Sequence, residues 1–326
     1  MGSDKIHHHH HHMTVRTRVT DLLEIEHPIL MGGMAWAGTP TLAAAVSEAG
    51  GLGIIGSGAM KPDDLRKAIS ELRQKTDKPF GVNIILVSPW ADDLVKVCIE
   101  EKVPVVTFGA GNPTKYIREL KENGTKVIPV VASDSLARMV ERAGADAVIA
   151  EGMESGGHIG EVTTFVLVNK VSRSVNIPVI AAGGIADGRG MAAAFALGAE
   201  AVQMGTRFVA SVESDVHPVY KEKIVKASIR DTVVTGAKLG HPARVLRTPF
   251  ARKIQEMEFE NPMQAEEMLV GSLRRAVVEG DLERGSFMVG QSAGLIDEIK
   301  PVKQIIEDIL KEFKETVEKL RGYIEE

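Results

Sequence analysis

Short apolar runs alternate with amphipathic stretches along most of this chain. Eight runs read as strands: Pro28–Met31, Leu52–Ile55, Phe80–Ile85, Val103–Thr107, Val127–Val131, Ala147–Ala150, Val179–Ala182 and Ala201–Met204. They are nearly continuous in apolar residues, as expected of strands covered on both faces. Between them, apolar residues recur at spacings of three and four. That period predicts helices over Pro40–Ala49, Pro62–Lys75, Ala91–Glu101, Thr114–Asn123, Ser135–Ala143, Thr164–Val175 and Gly188–Leu197. Strands and helices in this alternation predict an α/β fold, a parallel (β/α)8 TIM barrel rather than an open doubly wound sheet.

The repeat breaks after the eighth strand. Residues 211–283 have helical composition and no obvious buried strand, which predicts a small helical insertion serving as a substrate or lid subdomain. The barrel would then comprise 13–210 and 284–326. Its second part begins with the Gly285–Gly294 return. Val302–Ile324 reads as a long charged amphipathic helix that completes the outer ring, with packing on a partner subunit as the other possibility. Residues 1–12 end in six consecutive histidines and read as an expression tag, so they are set aside. Of the ten histidines, His27, His158, His217 and His241 remain.

Composition narrows the class. The net charge of −5 gives no reason to expect nucleic-acid binding. The one cysteine, Cys98, lies on the apolar side of a helical pattern and is expected to be buried. A lone cysteine excludes an internal disulfide framework and suits a reducing cytosol. No apolar run is long enough to span a bilayer, and no signal peptide follows the tag. A cytoplasmic protein without a membrane partner is expected. Glycine is enriched, at 32 of 326 residues against a usual ~7%. It shows no collagen-like period, so its role should be turns and close backbone approach.

The barrel prediction tells where those glycines lie. Active sites of such barrels form at the carboxyl ends of the strands. There the chain reads Gly32-Gly33-Met34-Ala35-Trp36, Gly56-Ser57-Gly58, Asn83, Gly109-Ala110-Gly111-Asn112, and Glu151 to Gly160 with its Gly156-Gly157-His158 core. Gly183-Gly184 follows the seventh predicted strand, and Gly205-Thr206 follows the eighth, after Gln203. Backbone N–H groups of the last two loops could reach a phosphate, since no Cβ intervenes. The plainer reading is that they serve only tight strand-to-helix turns. His158 could act as acid, base or hydrogen-bond donor, or it could simply hold a loop carbonyl. Glu151 could accept a hydrogen bond from a ligand hydroxyl. Glu154 could be a solvated carboxylate. No Cys/His cluster suggests a metal, and no Rossmann unit surrounds the glycine-rich fragments. The stretch from Gly236 to Lys253 carries Lys238, Arg244, Arg247, Arg252 and Lys253 without an acid. It could dock a phosphate-bearing cofactor or an acidic carrier, or be a solvated basic face.

Gly32-Gly-Met-Ala-Trp36, Gly50-Gly-Leu-Gly-Ile-Ile-Gly56, Lys78-Pro-Phe-Gly-Val-Asn83, Gly109-Ala-Gly-Asn-Pro113, Ala150 to Gly160, Pro178 to Asp187 and Gly205-Thr-Arg-Phe208 recur in order. With these strings the sequence resembles the FMN-dependent enoyl-acyl-carrier-protein reductase II family, which belongs with the nitronate monooxygenases. The resemblance covers nearly the whole chain. It implies FMN at the barrel mouth, its phosphate on Gly183, Gly184, Gly205 and Thr206. Gly33, Met34, Asn83, Glu151, Gly157 and Gln203 would surround the rest of the flavin, with Met288, Gly290, Gln291 and Ser292 closing over the ring. It further implies His158 as the catalytic residue, with NADH or NADPH as reductant. The substrate would be a 2-enoyl thioester of acyl carrier protein or coenzyme A, as in fatty acid synthesis. A monovalent cation could assist, and a homodimer is expected. Other readings stay open, among them a barrel that binds a different phosphorylated metabolite. Ile159 and Gly240-His241 look like the enoyl reductases, whereas Pro242-Ala243-Arg244 with Leu246-Arg247 looks like the nitronate oxidisers. A non-catalytic flavin-binding protein is the remaining class.

Overall fold

A computed structural model describes residues 14–109 and 111–326. The tag-like residues 1–12, Met13 and Ala110 lie outside the described residues. Eight strands build the barrel: β1 (Ile29–Met31), β2 (Gly53–Gly56), β3 (Phe80–Ile85), β4 (Val105–Gly109), β5 (Lys126–Val131), β6 (Val148–Glu151), β8 (Val179–Ala182) and β9 (Ala201–Met204). The two-residue β7 (Gly157–His158) stands outside it. Every barrel neighbour is parallel, in the order β1-β9-β8-β6-β5-β4-β3-β2. A parallel bridge between Leu30 and Leu52 joins the two ends and closes the ring. The (β/α)8 expectation holds.

Strand parity divides the core in two. Successive side chains alternate between axis and outer shell. Leu30, Ile54, Val105, Ile128, Ile149 and Ile180 pack together inside the barrel. Their neighbours Ile29, Met31, Ile55, Val106, Val148 and Ala181 pack outward against the helices. The same alternation carries the inward positions upward to Asn83 on β3, Thr107 on β4, Glu151 on β6 and Gln203 on β9. These four polar residues sit at strand ends because their apolar predecessors fill the layers beneath.

The amino-terminal helix α1 (Arg18–Leu23) plugs the bottom of the barrel with Val19 and Leu23. Thr17 caps it by accepting from the Val19 and Thr20 amides, and the Thr20 hydroxyl accepts from the Thr17 amide. Sequence period could not reveal a six-residue helix. The outer ring consists of α2 (Pro40–Glu48), α3 (Pro62–Lys75), α4 (Ala91–Glu100), α5 (Thr114–Glu122), α6 (Asp134–Arg142), α7 (Thr164–Ser174) and α8 (Gly188–Ala196). Cys98 on α4 is fully buried, and burial pushes its thiol up to about 12.

After the short α9 (Thr206–Val209), residues 211–283 differ from the sequence expectation. Helices α10 (Pro218–Lys226), α11 (Pro249–Glu260), α12 (Pro262–Leu269) and α13 (Ser272–Glu279) are present. So is an antiparallel hairpin of β10 (Thr232–Thr235) and β11 (Ala243–Leu246), the latter wholly buried. The insertion is therefore mixed rather than helical. Four-residue strands beside Arg230, Asp231 and Arg247 show too few alternations to register as a period of two. The turn between them rests on Gly236 and Gly240, both left-handed at φ 82° and 84°. The insertion shares a second core with the returning segment, in which Tyr220 and Ile224 pack with Phe287 and Val289.

The last helix, α14 (Val302–Arg321), completes the outer ring by packing across α8. Phe195 and Phe313 meet edge-on at 5.1 Å between centroids. Contact is closest at Gly188, where a Cβ would collide with the α14 backbone at Ile309 and Phe313. A Gly188→Ala substitution should lower stability by ~1–3 kcal/mol through overpacking. Urea unfolding would show this as an earlier midpoint with an unchanged slope, and an unchanged midpoint would mean the helices can part freely.

Candidate active site

A cavity of about 540 Å³ opens at the carboxyl ends of the strands. A cleft of about 480 Å³ at the opposite end is lined by strand starts such as Pro79, Phe80, Pro104 and Val105. That second cleft contains no histidine, and its lining serves to close the barrel floor. The carboxyl-end cavity gathers Gly33, Met34, Asn83, Glu151, Gly157, His158, Gly183, Gly184, Gln203, Gly205, Thr206, Met288, Gly290 and Ser292 on one wall system. Gln291 is not on that wall. Its backbone amide donates to the Glu154 carbonyl at 3.0 Å.

Close approach explains the glycines. A Cβ on Gly33 would overlap the Asn83 amide, whose Nδ2 donates to Thr107 Oγ1 at 2.9 Å. Gly183 and Gly184 adopt φ of 99° and 80°, a left-handed turn that L side chains resist. Among the described residues, neither these two amides nor that of Gly205 donates to a backbone acceptor. Free N–H groups from two adjacent loops, with the α9 start beside them, form a cradle for an anion.

Glu151 and Glu154 part company here. Glu154 Oε2 accepts from the Thr164 amide at 3.1 Å and so caps α7, a structural task. Glu151 turns its remaining surface to the cavity. Burial pushes its carboxyl up to about 7; Ser155, whose hydroxyl is close without completing a hydrogen bond, pulls the other way.

His158 keeps surface on the cavity. Its ring is nonetheless enclosed enough that burial lowers its pKa, and His241 lowers it further. Both effects favour the neutral imidazole. Its loop is held on two sides. Gly156 abuts the returning segment so closely that a Cβ would lie 2.6 Å from the Val289 carbonyl carbon. On the other side β7 pairs with β11, His158 opposite Ala243 and Gly157 opposite Arg244.

Tyr220 escaped sequence reading, and Trp36 was read only as part of its strand-end loop. Tyr220 donates its hydroxyl to the Met288 carbonyl at 2.7 Å, fixing the returning segment. Trp36 stands on the cavity wall at a left-handed φ of 65°, with Arg274 of α13 5.7 Å above its ring. Its position after Met34 was the available signal, but only the fold shows a ring spanning barrel and insertion. The basic stretch 236–253 does not form one patch. Lys238 lies over Phe259, Arg247 donates to the Arg230 carbonyl, and Arg244 is buried.

Comparison with known proteins places this geometry. The family model described as nitronate monooxygenase matches residues 16–101 and 87–312. The chain belongs to the nitronate monooxygenase family. Among solved structures, a mutant of FabK from Thermotoga maritima is 95% identical, with a TM-score of 0.90, over 95% of this chain and 100% of that one. Nitroalkane oxidase from Streptomyces ansochromogenes is 32% identical, with a TM-score of 0.84, over 93% of this chain and 100% of that one. A curated relative is the 5-hydroxy-7a-methyl-1-oxo-octahydro-1H-indene-4-carboxyl-CoA dehydrogenase of Mycobacterium tuberculosis. It is 37% identical, over 91% of this chain and 96% of its own length. No helix among the described residues is long and apolar enough to cross a membrane.

The buried acid makes a pH prediction. The folded protein holds the Glu151 proton up to about 7, whereas an unfolded chain releases it near ~4.3. Between those values the folded state binds more protons, so stability falls as pH rises. For ligand-stripped protein, Glu151→Gln should flatten part of that fall. Urea unfolding near pH ~5 and ~7.5 measures it; an identical fall in both proteins would refute a protonated Glu151.

Proposed function

We propose that this protein is an FMN-dependent enoyl-acyl-carrier-protein reductase that reduces trans-2-enoyl thioesters with NADH or NADPH. The observation carrying this reading is the 95% identity to FabK across that whole chain, joined to the enoyl-reductase motifs of the sequence. Acyl carrier protein or coenzyme A would carry the acyl group. The cytoplasm is the proposed location, in keeping with one buried, unreactive cysteine.

The residues present fit the flavin. The unpartnered amides of Gly183, Gly184 and Gly205, with Thr206, would hold its phosphate, as backbone donors hold anions elsewhere. Asn83, Glu151 and Gln203 would take its hydroxyls and ring edge, and Gly33 leaves the backbone bare beside them. When bound, FMN supplies the hydride chemistry that amino-acid side chains lack. The protein orients the thioester, excludes water with the Met288 segment and the insertion, and stabilises charge. A neutral His158 serves as a hydrogen-bond donor, its imidazole N–H directed to the thioester oxygen as that oxygen gains charge.

A second reading has its own support. The family is named for nitronate oxidation, and the Streptomyces nitroalkane oxidase is 32% identical. In that reaction the neutral His158 would instead take a proton from the carbon beside the nitro group. Both readings need the histidine, which a non-catalytic flavin carrier does not.

NAD(P)H consumption with a 2-enoyl thioester, set against oxygen uptake with a nitronate, separates the two chemistries. Turnover of the nitronate alone would overturn the proposal. His158→Ala should lower turnover ~10²–10⁴-fold while the purified protein stays yellow with an unaltered flavin spectrum. Full activity in that variant would remove His158 from the mechanism.

A further inference from the structure

We propose that Arg244, on the insertion, is the positioning residue that sets where His158 stands. Arg244 is 5% exposed; its guanidinium feels the charge of Glu154 but hydrogen-bonds to neutral acceptors. Nε and Nη2 both donate to the Met153 carbonyl, at 3.1 and 2.8 Å, and Nη1 donates to Thr232 Oγ1 at 3.1 Å. Burying a charge on neutral acceptors is costly, so its placement calls for a task beyond filling space.

Holding the hairpin is not that task. β11 already pairs with β10 along its length, its Val245 bridges to Met288, and its Leu246 amide donates to the Phe287 carbonyl at 2.8 Å. What the guanidinium adds is a grip on Met153. The Met153 amide donates to the Val162 carbonyl at 2.8 Å. Met153 is therefore held twice, by its N–H to the far end of its own loop at Val162 and by its C=O to the insertion. His158 lies five residues on, in a loop whose far end pairs with β11, with the Ile159 amide on the Pro242 carbonyl at 3.2 Å. One short strand thus fixes the loop at its start through a side chain and at its end through the main chain. Releasing the start leaves the stretch before the histidine held by the Gln291 amide on the Glu154 carbonyl and by the β7–β11 pairing, with Gly156-Gly157 as its point of give.

The effect on turnover rests on the reading of His158 given above; the positional claim does not. The test uses the flavin-loaded full chain with isotope-labelled histidine, the ring signal being assigned by its loss in His158→Ala. In Arg244→Gln and Arg244→Lys, amide exchange at Gly157 and His158 should speed up about tenfold or more, the loss of a charged hydrogen-bond pair. The His158 titration should rise toward the ordinary histidine value as the ring leaves its enclosure. Lysine keeps the charge but not the fork, so a rise there separates position from charge. His241, the neighbour that His158 senses, is paired with Glu266, and none of the substitutions touches either residue. Turnover should fall ~10–100-fold with little change in KM, the effect of a small displacement at the reacting centre. Thr232→Val removes only the Nη1 bond and should give a smaller change of the same sign. If the glutamine variant does not fold, the lysine and valine variants decide. Unchanged exchange and titration at His158 in the folded variants would overturn the proposal. Full activity in His158→Ala would sink the catalytic reading and leave the exchange result standing.

Discussion

The structure depends on the parity of its strands. In a closed parallel ring every second side chain points at the axis, and the axis has room for few layers. Leu30, Ile54, Val105, Ile128, Ile149 and Ile180 fill the lower ones. A polar group at that depth would be stranded without partners. One inward step higher the ring opens, and Asn83, Glu151 and Gln203 can be polar because a cavity lies in front of them, while Thr107 is buried as the acceptor of the Asn83 amide. The packed floor and the chemical surface are therefore successive storeys of one stack. A one-residue slip in β6 would exchange Glu151 for Ala150 and send the acid outward into the helices.

Long regular elements were legible in the sequence for a simple reason: both periods had enough repeats to show. The barrel strands agree with expectation to within two residues at each end, and Pro62–Lys75 agrees at both ends. The site glycines were legible because a count of strand ends gives them a common face. Short elements were not. The strand β11 is four residues long, and its Arg244 reads as one more charge in a basic run. Only the fold shows that this charge turns inward. Likewise, Glu151 and Glu154 differ by three positions and by nothing in composition; one ends a strand and faces the cavity, the other reaches a helix start. Gln291 sits in the right segment, yet its place in the wall is taken by its neighbours Gly290 and Ser292.

Four stretches far apart in sequence make the site: the strand ends, the His158 loop, the segment around Met288, and the insertion. None encloses the cavity alone. Gly290 donates to Thr206 Oγ1 at 3.0 Å, which ties the returning segment to the end of β9. Trp36 and Arg274 tie the first strand's loop to α13. The barrel brings the strand ends, whereas the insertion brings contacts that align the glycine-rich loops with them. Rigidity and closure come from different parts of the chain.

The pairing of β7 with β11 is made by main-chain groups. Such pairing is indifferent to side-chain identity. A lineage can therefore replace residues on the helices around the hairpin and, Arg244 apart, on the hairpin itself, reshaping what the pocket admits, while His158 keeps its register. Chemistry and substrate range become separately heritable. A family whose named members include an oxidase of nitroalkanes and a dehydrogenase of a bulky acyl-CoA is what such a division allows.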